Sequence, residues 1–547
     1  MYAEGEAPTT DAPPASGGGG ADLSGGGGDG GGGGNGRPVG GGGGGSTGVS
    51  RQQSSSAPPN RIDPAQIPRP TLSQNAETFE TRTSLGLLPP PASSNFVAVD
   101  DGNCSPRMMR LTLNQIPTLD DQTAASALPI GAVIQPLAEP APGEAPVPLV
   151  DPGPDGPMRC GRCRAYANPY FTFVERGASV TCNLCGQTSP VPRDQVVDLD
   201  HHGYRRDHAE RPELCFGAVE YVAPVEYQAR PPLPPPLVLV VEVTQPALAA
   251  TVTETVLTAL AAVLPTLPPY TRVGLIAFND AVHFFTPPTA EHPSEDAGGA
   301  EGDTAGGVRM FSVTDLEELC LPLPAAALLL PLSQTRDALL ALFDSVKTLF
   351  VSQKRPDAAF GAAVESARLL LENTGGRCLV FQHTLPGIGP LKLAHRDDVR
   401  SYGTDKEKVL LQPAAPEWAA LAAKLAQAQV CVSTFHFTGH NYVDLASMST
   451  LARTTGGQLY HYTQALPELR DVWGPKLQQE IYRNLSRPFG YEGVLRVRAS
   501  RGLRVDQYLW GSLLPGDKDV DVAGIDADQA FGVLVKQDEK VRIYIDR

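Results

Sequence analysis

From Leu237 to Val243 the chain reads Leu-Val-Leu-Val-Val-Glu-Val, an apolar run broken only by Glu242. Such a run has no solvent face, and it predicts a strand covered on both sides, as the parallel strands of α/β domains are. Downstream the period changes. Apolar residues at three- and four-residue spacing predict helices over Ala249–Leu264, Thr335–Leu349, Ala358–Leu371, Pro416–Ala426 and Asp444–Thr454. Between them, short apolar runs predict strands at Val273–Phe278, Cys378–Gln382, Val430–Phe437 and Leu459–Tyr462. Alternation of this kind builds a mainly parallel sheet wrapped by helices. The acidic, glycine-rich stretch Glu291–Gly307 reads as a surface-loop insertion, and Ala325–Leu330 as a short apolar turn.

A two-residue period flanks this region on both sides. Asn95–Val99 and Arg107–Pro117 precede it, and Gly493–Arg498 and Lys540–Ile545 follow it, each with the alternation of a half-buried strand. Residues 1–92 show no period. Glycine runs from Gly17 to Gly45, then Ser, Gln and Pro, offer too little apolar surface to offset the entropy of ordering, so a flexible tail is expected.

Composition narrows the functional classes. With 547 residues the chain can bury several cores, and its net charge of -16 argues against general nucleic-acid binding and against unaided adsorption to anionic lipid. No stretch reaches the length of apolar sequence that a membrane span needs. The default is therefore a soluble cytosolic protein.

Cysteine spacing adds one site. Cys160 and Cys163 form one Cys-x-x-Cys, and Cys182 and Cys185 form a second. Each pair makes a tight knuckle that sets two thiolates along one edge of a tetrahedron, so the two together predict a structural zinc ion with no open position for a substrate. Arg159, Arg162 and Arg164 crowd the first knuckle of an otherwise acidic chain. Guanidinium forks match carboxylates at two points, which suits acidic peptide signals; the plainer reading is a solvated charge cluster bordering zinc.

The stretch Arg159-Cys160-Gly161-Arg162-Cys163-Arg164-Ala165-Tyr166-Ala167-Asn168-Pro169-Tyr170, with Thr181-Cys182-Asn183-Leu184-Cys185 after it, resembles the zinc module of the COPII inner-coat cargo adaptors, the Sec24 branch of the Sec23/Sec24 family. Further matches follow in that family's order: Arg211-Pro212-Glu213-Leu214, Gly217–Ala223, Gly375-Gly376, Leu385-Pro386-Gly387, Asp444-Leu445 and Thr455–Tyr460. The Arg-x-Tyr-x-Asn-Pro-aromatic tail favours Sec24 over its paralogue Sec23.

The resemblance implies an α+β multidomain chain. Its parts would be a disordered Gly-rich tail (1–92), a first β-sandwich segment (93–156), a zinc-ribbon-like module (157–195), a linker (196–235), a von Willebrand A-like α/β trunk (236–486) and a second sandwich segment (487–547). The β-sandwich is thus built from both sides of the trunk. It implies a non-enzymatic adaptor that carries one zinc, pairs with Sec23 and takes cytosolic tails of membrane cargo and SNARE proteins, with Arg159 and Arg164 in a pocket for acidic signals and Arg162 beside them. The Sar-family GTPase and the outer coat are indirect partners, and the place of action is the cytoplasmic side of the endoplasmic reticulum and of COPII vesicles. Family members continue into helical and gelsolin-like domains, whereas this chain stops at Arg547, so a fragment or reduced form with a truncated sandwich is expected. Two alternatives stay open: a Sec23-like GTPase-activating subunit, and a nuclear scaffold combining a von Willebrand A domain with zinc.

Other chemistry finds little support. Von Willebrand A domains often hold magnesium through Asp-x-Ser-x-Ser, but here the positions read Glu242, Thr244 and Pro246, and proline offers no side-chain oxygen. His201 and His202 read as loop residues facing solvent. Gly387-Ile388-Gly389 lacks the third glycine of a dinucleotide loop. Cys104, Cys215, Cys320, Cys378 and Cys431 read as small hydrophobes, mostly in cores.

Overall fold

In the computed structural model the strand Leu237–Glu242 is buried at all six positions. The structure describes residues 77–83, 88–117, 120–228, 230–231, 233–286, 309–509, 514–515 and 519–537. Leu237, Leu239 and Val241 enter one core with Val256, Leu260, Phe343, Leu477 and Ile481. Val238 and Val240 enter a second core, on the other face, with Phe360, Val364, Trp418 and Leu451. Two covered faces are why the run needed no polar residue.

This strand is central in an eight-stranded sheet. Seven strands lie in the order Arg309–Val313, Val282–Thr286, Arg272–Phe278, Leu237–Glu242, Gly376–Gln382, Val430–Phe437 and Leu459–Tyr462, and Leu330–Pro331 pairs with Arg272–Phe278 beside that path. The last five strands of that order pair in parallel, as the alternation predicts. Val282–Thr286 and Arg309–Val313 pair antiparallel, so the sheet is mixed at one edge. The insertion expected at Glu291–Gly307 lies outside the described residues.

The helices fall where the apolar period places them, at Leu332–Leu349, Phe360–Leu371, Glu417–Gln427 and Leu445–Thr455. Ala325–Leu328 forms a single helical turn in the expected apolar turn. The helix expected over Ala249–Leu264 is instead two, Gln245–Ala249 and Val252–Val263, because Thr251 takes φ 58° and breaks the ladder. Arg470–Ser486 is a helix that sequence reasoning missed. Gly474 and Pro475 lower its intrinsic helix propensity, yet Trp473, Leu477 and Ile481 pack into the trunk core and outweigh that cost.

The β-sandwich joins sequence-distant halves. Gly131–Ile134 pairs antiparallel with both Met109–Leu111 and Phe531–Gln537, and Leu503–Leu509 completes that sheet. Phe489–Leu495, Val520–Asp526 and Leu514–Pro515 form the second sheet. Only Met109–Leu111 of the stretch Arg107–Pro117 is strand, and the strand anticipated over Gly493–Arg498 ends at Leu495. Lys540–Ile545 lies outside the described residues.

One expectation is corrected at the N-terminal side. Glu77–Glu80, inside the stretch read as tail, is a strand paired in parallel with Phe96–Val99. Hydrogen bonds rather than apolar burial anchor it, which is why composition concealed it. Asp101 accepts from the Thr81 hydroxyl at 3.0 Å, from the Arg82 N–H, and from the Thr83 N–H and hydroxyl at 3.0 and 2.7 Å.

Trunk and sandwich meet at a buried ionic joint. Arg487 lies 2.8 Å from both Asp526 and Asp528, and the side chains of Arg487 and Asp526 are each 2% exposed. Arg377 donates to the Asn484 carbonyl at 2.7 Å in the same place. Burial pushes the Asp526 carboxyl up from its ordinary range even though Arg487 stands beside it.

Candidate functional site

The two cysteine knuckles share one backbone pattern. The Cys160 N–H donates to the Ala165 carbonyl and the Arg164 N–H to the Cys160 carbonyl; at the second knuckle the Cys182 N–H donates to Gln187 and the Gly186 N–H to Cys182. The turn needs a left-handed residue directly after the second cysteine, and Gly186 supplies it at φ 68° while Arg164 is held at φ 59°. Strands Thr172–Val174, Ser179–Thr181 and Thr188–Pro190 carry the second knuckle, over a small core of Phe171, Phe173, Val180 and Leu214.

Sulfur geometry fits a metal. Cys160 Sγ lies 3.5 Å from Cys185 Sγ, Cys163 Sγ lies 3.6 Å from Cys182 Sγ, and all four sulfurs fall within 4.8 Å of one another. A tetrahedral ion with Zn–S of about 2.3 Å requires sulfurs about 3.8 Å apart. The four thiols split: against the effect of burial, the Cys163 and Arg162 N–H groups bring Cys160 down to about 7, while burial and the neighbouring thiols push Cys163 up to about 12 and burial pushes Cys182 up. Four sulfurs this close stay ionised together only around a cation. The site holds one structural zinc and keeps no position for a reacting ligand.

The three arginines occupy different surroundings. Arg159 is half-buried, its guanidinium over the Tyr166 ring at 4.1 Å and the Tyr227 ring at 4.8 Å, and it donates to the Tyr166 hydroxyl. Tyr166 in turn stacks on Tyr221 at 5.4 Å. Arg162 and Arg164 are exposed on the knuckle. Aromatic faces hold Arg159 in a fixed orientation without neutralising it. Among the described residues no carboxylate pairs with any of the three.

Arg498 is the residue that sequence reasoning missed. It leaves the sandwich strand, crosses to the first knuckle and donates from Nε to the Cys163 carbonyl at 2.9 Å, while the Arg501 N–H donates to the Leu184 carbonyl of the second at 2.8 Å. Burial, then the neighbouring guanidiniums of Arg496 and Arg159, lower its pKa, a sign of crowded positive charge. Tyr166, Leu184, Phe216, Tyr221 and Arg498 border a cavity of about 970 Å³. No local signal marks Arg498, because its partners lie in a separate segment of the chain.

Elsewhere the residues serve structure. Glu242 is 2% exposed and both its oxygens turn inward, accepting from the Thr244 hydroxyl and from the His383 and Thr384 N–H groups. Pro246 sits in the first turn of the helix Gln245–Ala249. His201 and His202 are exposed, and Gly389 makes a turn at φ 69°. Of the five remaining cysteines only Cys378 and Cys431 are buried; Cys104 and Cys215 are half-buried and Cys320 is exposed, which corrects the expectation that most lie in cores.

Residues 232–485 match the Sec23/Sec24 trunk domain family, and residues 157–194 match the Sec23/Sec24 zinc finger family. Protein transport protein SEC24 B of Arabidopsis thaliana is 38% identical over 492 residues, 88% of this chain and 43% of its own length. Human Sec24D is 30% identical over 503 residues, again 88% of this chain and 47% of that protein. The crystal structure of the human COPII-coat protein Sec24c superposes with a TM-score of 0.77 at 30% identity, covering 85% of this chain and 61% of that one. The chain spans about half the length of the curated relatives it matches. Zinc module, trunk and two-part sandwich all agree with these likenesses, and the chain belongs to the Sec23/Sec24 family, among its Sec24 members.

Proposed function

We propose that this chain is a non-enzymatic, cargo-selecting adaptor of the COPII inner coat in transport from endoplasmic reticulum to Golgi. The trunk is the docking part for Sec23. The zinc module, braced against the sandwich by Arg498 and Arg501, presents Arg159 and Arg164, with Arg162 beside them, to acidic signals in cytosolic tails of membrane cargo and SNARE proteins. Contacts with the Sar-family GTPase and the outer coat are made through the assembled coat, on the cytoplasmic face of the membrane. The observation that carries this reading is the Arg159 guanidinium, held over the Tyr166 and Tyr227 rings with no carboxylate partner among the described residues. Such a group is oriented for a ligand's acid before the ligand arrives.

The test has two arms. Co-purification with Sec23, with zinc quantified in the same sample, is expected to yield a one-to-one complex with one zinc per chain. Arg159→Ala and Arg164→Ala are each expected to weaken an acidic cargo peptide by about tenfold or more, the loss of a charge-assisted hydrogen bond of about 1.5–3 kcal/mol, with zinc content unchanged. Unchanged affinity in both variants removes the arginine assignment, and failure to pair removes the coat assignment.

A further inference from the structure

Just before the first trunk strand the chain reads Arg230-Pro231-Pro232-Leu233-Pro234-Pro235-Pro236. Each proline fixes its own φ and pushes the residue before it to extended backbone, so these residue types dictate a polyproline II course. Both ends are tied down. Arg230 Nε meets the Glu492 carboxylate at 2.5 Å, and its Nη1 donates to the Asn373 carbonyl at 2.9 Å. At the other end Pro236 is buried, its carbonyl accepts from the Arg377 N–H at 2.9 Å, and Leu237 opens the buried strand Leu237–Glu242.

Between the anchors the side chains meet solvent. Pro231, Leu233 and Pro234 are exposed, Leu233 to 57%. Three residues per turn set Pro231 and Pro234 on one ridge and Leu233 on the next. Among the described residues nothing donates a hydrogen bond to the carbonyls of Pro231, Leu233 or Pro234. Beside Leu233 lies a cavity of about 640 Å³ whose far side is Tyr227, Tyr491 and Val494, and Val494 is itself 65% exposed. That opening leaves space for a flat ring against the leucine.

Apolar ridges on an ordered backbone with unpaired carbonyls match one mode of recognition: an aromatic groove that packs on the ridges while its Trp and Tyr donate to the carbonyls. An SH3 groove also asks for a free cation beside the prolines, and Arg230 is already paired with Glu492. A WW groove, built from aromatic rings, does not. We propose that the proline segment around Leu233 docks into the aromatic groove of a WW-type module on a partner protein. This docking goes beyond the adaptor reading and does not depend on the arginine cluster. The two anchors contribute preorganisation, since a segment already held extended loses little conformational freedom on binding.

A fluorescently labelled WW domain of the class that binds Pro-Pro-Leu-Pro, titrated with the full chain and followed by anisotropy, tests this. Saturable binding is expected, competed by a synthetic peptide of residues 228–237. Leu233→Ala and Pro234→Ala are each expected to weaken it about tenfold or more, and a WW domain stripped of its groove tryptophan is expected not to bind. Both substituted side chains are exposed, so the variants should unfold at the parent's temperature. Arg159→Ala is expected to leave the titration unchanged, so failure of the acidic-signal site and failure of this docking read separately. Binding of the peptide without binding of the chain, parent-like affinity in both variants, or tighter binding of an SH3 domain would overturn the proposal.

Discussion

Removing Arg487 should expose how strongly the trunk and the sandwich depend on a single ionic joint. Its guanidinium stands 2.8 Å from Asp526 and from Asp528, with its own side chain and that of Asp526 each 2% exposed. Arg487→Ala leaves the Asp526 carboxylate in a dry site without its cation. Breaking a buried pair in this way costs about 3–5 kcal/mol. The same cluster contains its own control. Arg483 pairs with Asp528 and Glu139, but these side chains are 40–48% exposed, so Arg483→Ala should cost only about 0.2–1 kcal/mol. The assay is urea unfolding of each variant, comparing midpoints at constant slope.

A pH arm sharpens the test. Burial already holds the Asp526 carboxyl above its ordinary range, and losing Arg487 raises it further. The folded variant then binds a proton more readily than the unfolded chain does. Its stability must therefore rise as pH falls through the raised pKa, so the deficit relative to the parent shrinks on acidification. Equal losses in the two variants, or a deficit that grows toward acid, would refute the reasoning.

Four further outcomes follow from the same geometry. Gly361→Ala, a change that favours most helices by about 1 kcal/mol, should here destabilise by about 1–3 kcal/mol, because the added Cβ would lie 2.0 Å from the Pro390 carbonyl oxygen; thermal unfolding reads the sign. Arg164→Gly should relieve about 1 kcal/mol of left-handed strain while zinc content is kept, and a fall in stability or zinc loss counts against the knuckle geometry. Asp101→Ala should raise hydrogen exchange at the Arg82 and Thr83 amides and spare the trunk; in the parent, the hydrogen bonds from Thr83, Arg82 and Thr81 outweigh burial and hold this carboxyl below its usual range, so the clamp persists at neutral pH and is lost only as pH falls through that lowered value. Chelating zinc should speed exchange at the Phe173, Val180 and Arg501 amides and leave the strands at Leu237–Glu242 and Val430–Phe437 protected.

Periodicity and spacing alone determined the parallel core of the trunk, its flanking helices and the zinc ligands. Each of those signals is local: a strand buried on both faces must be apolar throughout, and a knuckle needs its cysteines three positions apart. The helix Arg470–Ser486 escaped because its stability comes from Trp473, Leu477 and Ile481 meeting a core that other segments build. Glu77–Glu80 escaped because its backbone pairing with Phe96–Val99, and the Asp101 carboxylate that clamps the turn Thr81–Thr83 after it, carry no compositional mark. The arginine cluster was half legible. Three arginines on one knuckle were visible in the chain, but only tertiary structure set Arg159 over the Tyr166 and Tyr227 rings, left Arg162 and Arg164 in solvent, and brought Arg498 to the Cys163 carbonyl. The same holds for the proline segment, where only tertiary structure tied Arg230 to Glu492 and left Leu233 in solvent. Local pattern encodes what a residue's own neighbours demand, whereas a site assembled from distant strands exists only once the chain has closed, when loop entropy has been offset by the cores on either side.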